Sequence, residues 1–105
     1  MQLSNTSEIH GSHITKTLGI VSGNMVQSKH VGRDIMAGLK TLVGGEISGY
    51  TEMLVEAREG AQKRMIQQAE SLGGNAVINV RFTTSAIAPN MCELLAYGTA
   101  VTLES

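Results

Sequence analysis

The sequence predicts an α+β domain in two layers, two helices packed on one face of an antiparallel-type sheet, in the order β-α-α-β-β. Three observations carry that prediction. Tyr50, Met53, Leu54, Ala57, Ala61, Met65, Ala69 and Leu72 recur at three- and four-residue steps, while Glu52, Glu56, Arg58, Glu59, Lys63 and Arg64 fill the opposite positions. This is the pattern of an amphipathic helix. Runs rich in β-formers flank it: LGIVSGNMV before, AVINVRFTT and CELLAYGTAVTL after. Double glycines at 44–45 and 73–74 mark the C-terminal ends of the two helical stretches.

Taken in order, Met1 to Lys16 is polar and rich in Ser, Thr and His. Ile9 and Ile14 could pair with a sheet edge, but no periodicity commits them. We read 1–16 as a polar N-terminal segment and 17–105 as a single domain. Leu18 to Val26 is the first strand, and Gly23-Asn24 is a turn or bulge signal that breaks it. Arg33 to Val43 places Ile35, Met36, Leu39, Leu42 and Val43 at helical spacing, a short helix closed by Gly44-Gly45. A Gly/Ser-rich turn then folds the chain back into the long helix, with Ser48 or Thr51 as its cap. That helix spans roughly 22 residues or about 33 Å. Gly73 and Gly74 supply the positive φ that ends it.

Ala76 to Thr84 comes next as a strand in which Ile78, Val80 and Phe82 alternate with Asn79, Arg81 and Thr83, one face buried and one wetter. Ser85 to Met91 holds the only proline and reads as a long loop turning at Pro89-Asn90. Cys92 to Leu103 is the last strand, with Gly98 a bulge or a point of close backbone approach.

Composition bounds the function. Of 105 residues 42% are hydrophobic, but only 3% are aromatic, with no Trp and one Phe. The core is therefore aliphatic and thin, a deficit that association between subunits would offset. A net charge of −1 argues against a nucleic-acid partner. A single cysteine rules out an intramolecular disulfide framework and suits the cytosol. No stretch reaches the ~18 apolar residues of a membrane span, and the polar start is not a signal peptide. The expectation is a cytoplasmic protein with no membrane partner.

Several motifs, in order, carry a family resemblance: Gly44-Gly45, Tyr50 leading into the Ala-spaced helix, Gly-Asn-Ala-Val-Ile-x-Val at Gly74–Val80, and Gly-Thr-Ala-Val at Gly98–Val101. With Ile20-Val21-Ser22-Gly23 and Arg33-Asp34, they resemble the YbjQ family (UPF0145), small bacterial and archaeal proteins of uncharacterised function. The resemblance spans Leu18 to Leu103. It implies a two-layer subunit assembled as a ring-shaped pentamer, and it brings the label of heavy-metal binding. Three positions depart from the family pattern: Glu46 stands where Arg is usual, Asn79 where Gly is common, and Arg81 where an acid is common. The last departure weakens a cation site there.

The candidate ligands for a soft divalent or monovalent metal ion are Cys92 and His30, with Met25 or Met91 as additional sulfur. No CxxC, no HxxxH and no second cysteine completes a site within one chain. In a ring, copies of one residue can converge on the axis. Cys92 also reads as a small buried hydrophobe. His10 and His13 fall in the polar N-terminal run and read as solvated. Arg33, Asp34, Gly44, Gly45 and Tyr50 are the candidates for an anion site or a subunit interface. The segment Gly44–Gly49 precedes a helix N-terminus, yet it is neither GxGxxG nor a Walker loop. No nucleophile turn flanks Cys92, and no catalytic residue is assigned. The balance falls on a homo-oligomeric binding protein holding a metal ion at subunit junctions or on the ring axis. The alternatives are an enzyme with an inter-subunit cleft using Cys92, a His, or Arg33 and Glu46, and a structural ring that docks a protein partner.

Overall fold

The computed structural model describes residues 1–28, 48–89 and 91–105, with side chains in the helix described from residue 51 onward. The short helix expected over 33–43 lies outside the described residues. So do His30, Arg33, Asp34, Gly44, Gly45 and Glu46.

Five elements make up the described chain: β1 (Gln2–Leu3), β2 (His13–Ser28), α1 (Ser48–Ser71), β3 (Ala76–Ala88) and β4 (Met91–Glu104). The four strands form one sheet in the order β1-β3-β4-β2, and α1 packs on β2 and β4 and only slightly on β3. β2 and β3 each run antiparallel to β4, which lies between them. β1 pairs with β3 in parallel, so the sheet is mixed and not antiparallel throughout. The helix-on-sheet architecture agrees with the sequence expectation. The parallel edge does not.

Three further details differ from that expectation, each for a physical reason. β2 starts at His13, five residues before the expected Leu18, and passes through Gly23 without a break. Its register shifts fall instead at Ile14/Lys16 and Thr17/Gly19, where Gly19 adopts a φ of 125°. Gly23 serves a different need. A Cβ there would fall on the Ala61 carbonyl oxygen and the Met65 backbone nitrogen. The glycine is where the sheet meets the helix backbone. The expected long loop at 85–91 is also absent: β3 runs to Ala88 and β4 starts at Met91, leaving a tight connection through Pro89.

α1 is 24 residues long, about 36 Å. Met53, Ala57, Ala61, Met65 and Ala69 are its buried residues, a stripe at four-residue steps. Leu72, expected on that stripe, is exposed. It lies past the last turn, where the Gly73 N–H donates to Glu70 O at 3.0 Å and the Gly74 N–H to Ala69 O at 2.9 Å. These two bonds, with Gly73 at a φ of 87°, are those of a Schellman stop. Gly74 has no positive φ; close contacts with Ala69 O, Leu18 and Val101 O account for it.

Two apolar clusters sit on opposite faces of the sheet. On the helix side, Val21, Val77, Leu94, Ala96 and Ala100 pack with Ala57, Ala61, Met65 and Ala69. On the far side, Ala76, Ile78 and Val101 are covered by Ile9, Ile14 and Leu103. The N-terminal run thus contributes to the sheet and to its second face, although nothing in its spacing announces this.

Candidate functional site

Cys92 lies near the start of β4, paired with Gln27 of β2 and Ala86 of β3. It is buried, and strand alternation puts it on the same face as Leu94 and Ala96, towards the helix. Met25 pairs with Leu94, which makes it a diagonal neighbour of Cys92 on that face, at about 7–8 Å. Met91, one residue away, points to the other face. His13 pairs with Glu104 at the far end of the same ladder, on the order of 40 Å from Gln27 and Cys92 along the strand. His10 and His13 therefore cannot join Cys92 in a metal site or in a nucleophile–base pair within one chain. Tyr50 lies in the first turn of α1, and its side chain is outside the described residues.

The structure draws attention instead to the edge of β3. A bulge between Ile78 and Arg81 sets two residues, Asn79 and Val80, against Gly98 of β4. Asn79 has a φ of 53°, the left-handed region in which Gly and Asn are the least strained residues. This explains why the family resemblance implies glycine there. Gly98 is the point of close approach that its sequence context suggested, since a Cβ would come within 2.7 Å of Val77 Cγ1 and 2.8 Å of Ile78 O.

The bulged strand is held from the outside by the N-terminal run. Ser4 N–H donates to Val77 O at 3.0 Å, Val80 N–H to Ser4 O at 2.9 Å, and Asn79 N–H to Thr6 O at 3.0 Å. Arg81 adds a side-chain tie: its Nη1 donates to Asn5 O at 2.7 Å and to Val80 O at 3.0 Å. Beside this tie opens a cleft of about 520 Å3, lined by Leu3, Asn5, Gln62, Val80, Arg81 and Phe82. A smaller hollow of about 320 Å3 lies between Ile20, Asn79, Arg81, Tyr97 and Thr99. Arg81 lines both. Sequence reasoning noticed Arg81 only as a departure from a pattern, because its partners are backbone carbonyls that no spacing encodes.

A family model described as "Putative heavy-metal-binding", the YbjQ family, matches residues 1–104. The chain belongs to the YbjQ family. A UPF0145 protein from Photobacterium profundum is 66% identical over 93% of this chain and 95% of the relative. Another from Halorubrum lacusprofundi is 58% identical over 98% and 99%. Among solved structures, a protein of unknown function of the DUF74 family from Pediococcus pentosaceus superposes with a TM-score of 0.66. It covers 99% of this chain and 98% of its own, at 16% identity, which establishes a shared fold.

The YbjQ description raises the question of a metal, and the donor set answers part of it. Among the described residues no group of three or more His, Cys, Asp or Glu side chains could hold an ion. Cys92 thus lacks two further His, Cys, Asp or Glu partners among the described residues. The described residues of one YbjQ chain therefore do not fit a heavy-metal centre by themselves. Among the described residues, too, no helix is long and apolar enough to cross a membrane.

Proposed function

We propose that the protein is a homo-oligomeric binding module whose subunits join along the β3 edge and hold their ligand where subunits meet. The observation that carries this reading is the uncovered arm of β3: every residue from Thr83 to Ala88 is exposed, including Ile87. Beyond Arg81 this strand has β4 on one side and, among the described residues, no strand on the other. An open edge with exposed apolar side chains is a template for pairing with another chain.

The other edge of the sheet is managed differently. At β2 the Ser22 N–H donates to Gln68 Oε1 at 2.7 Å, and Arg64 Nη1 donates to Asn24 O at 2.7 Å. The helix thus engages two outward-facing backbone groups in the middle of β2. With its β2 edge engaged by the helix, the open β3 arm meets an unlike surface of the next subunit in this reading, and such head-to-tail contacts must close on themselves to avoid fibres. A ring satisfies that requirement, and the pentamer implied by the resemblance is the closed form we favour.

The incomplete donor set among the described residues of one chain favours a junction for any metal, where a second subunit can complete it. Native mass spectrometry before and after addition of Zn2+, Cu+ and Ni2+ tests both parts. The expected result is a pentamer that gains a fixed number of ions per ring, with the gain reduced in Cys92→Ser. A bare pentamer would remove the metal and keep the assembly; a monomer would remove the assembly.

A further inference from the structure

The cleft beside Arg81 has chemistry that the assembly reading leaves unused. The two protons of Arg81 Nη1 are taken by Asn5 O and Val80 O. The Nε–H and the two protons of Nη2 have no acceptor among the described residues. The Nε–H and one Nη2–H lie parallel along one edge of the planar guanidinium, the geometry that matches the two oxygens of a carboxylate, and the second Nη2–H points off its end. The tie to two backbone carbonyls fixes the plane of that fork in advance, so less side-chain freedom is lost when it binds.

The surroundings suit an organic anion better than a bare ion. Among the described residues no acidic side chain lines the cleft. Leu3, Val80 and Phe82 give it an apolar wall, with Phe82 41% exposed at its rim. The amides of Asn5 and Gln62 add neutral hydrogen-bonding groups at the same opening. Its volume of about 520 Å3 falls inside the range of small-molecule sites.

We propose that this cleft binds a small carboxylate with an apolar body of ring size, its carboxylate on the free side of Arg81 and its body against Phe82 and Leu3. Every contributing residue comes from one chain. The site therefore goes beyond the assembly reading, and it requires only that subunits join on the arm at Thr83–Ala88 and leave Arg81 and Phe82 open.

Benzoate is the probe, added to the isotope-labelled full chain and monitored by 1H–15N NMR, with sodium chloride and inorganic phosphate as controls at matched ionic strength. The expected result is saturable shifts at the Arg81 Nε–H, the Gln62 side-chain amide and the Phe82 backbone, which chloride and phosphate do not reproduce. Arg81→Lys keeps a charge and removes the fork, and it should weaken binding by about tenfold with the circular dichroism spectrum unchanged. Phe82→Ala should weaken binding by roughly threefold through lost apolar contact. Because Phe82→Ala leaves the Arg81 tie intact, it keeps the test sharp if the Arg81 variant fails to fold. The proposal is overturned by no saturable shift up to about 10 mM benzoate, by full affinity in Arg81→Lys or in Phe82→Ala, or by phosphate matching benzoate. Subunit number plays no part in these readouts, so a failure here and a failure of the ring are told apart.

Discussion

Gly23 is the residue on which the two layers depend most directly. Any side chain there meets Ala61 O, Met65 N and, at 2.7 Å, Arg64 Cβ. Backbone atoms cannot rotate aside, so the helix itself would have to move. Gly23→Ala is expected to cost about 3 kcal/mol or more, or to prevent folding, as read by urea denaturation with circular dichroism. The sequence points to a different role because glycine marks turns and close approaches alike. Only the alanines at 57, 61 and 69 hint that something comes near that helix face. Asn79 offers the opposite lesson. At a φ of 53° it already occupies a conformation that glycine adopts at little cost. Asn79→Gly should leave thermal stability unchanged or raise it by up to about 1 kcal/mol, while Asn79→Val should lose about 1–3 kcal/mol. If both variants melt with the native chain, the left-handed backbone at 79 is not a constraint.

At the level of elements, α1 was the most legible part of the chain. A long 3.6-residue period over small and apolar side chains survives any uncertainty at its ends, and the Gly73-Gly74 stop is local chemistry. The strands were legible as runs of β-formers, but their limits were not. His13–Thr17 and Ser85–Ala88 extend β2 and β3 through residues whose side chains are largely exposed. There the ladder to β4 decides: the partners of His13–Thr17 lie at Val101–Glu104, too far along the chain to leave a trace in local periodicity, and Ser85–Ala88 are held by Met91–Glu93 across the tight connection. The same holds for β1, whose two residues exist as a strand only because Ala76 and Val77 lie beside them. Gly60 separates helix propensity from packing. A Cβ there would meet the side-chain end of Met25, with Cε at 2.8 Å, and that flexible group can shift. Gly60→Ala should therefore fall within about 1 kcal/mol of the native chain, because the helix gains nearly that amount from alanine. A loss as large as that expected for Gly23→Ala would show that Met25 is rigidly held.

For the whole molecule, the candidate site was the least legible feature. Cys92 could be named from composition, yet its burial and its distance from His10 and His13 depend on which ends of β2 and β4 meet. The cleft at Arg81 needs three separate stretches, 3–5, 62 and 80–82, and no single window contains it. Assembly has a direct test at this scale. Ile87, 52% exposed on the open arm of β3, touches neither the cleft nor the seam with α1. Ile87→Lys should shift the oligomer towards monomer in native mass spectrometry while leaving helix content intact; an unchanged subunit number would move the interface elsewhere. The uneven seating of the helix has a consequence in time as well as in shape. α1 grips β2 through Gln68 and Arg64 and barely touches β3. Residues 82–88 are themselves exposed along their whole length, whereas Val21 is buried against the helix and Gly23 sits on its backbone, so freeing that part of β2 requires the helix to leave. Amide exchange should then run fast along the arm of β3 and approach the global limit along the middle of β2. Subunit joining at that arm would appear as slowed exchange in the part of the chain that is otherwise quickest to open.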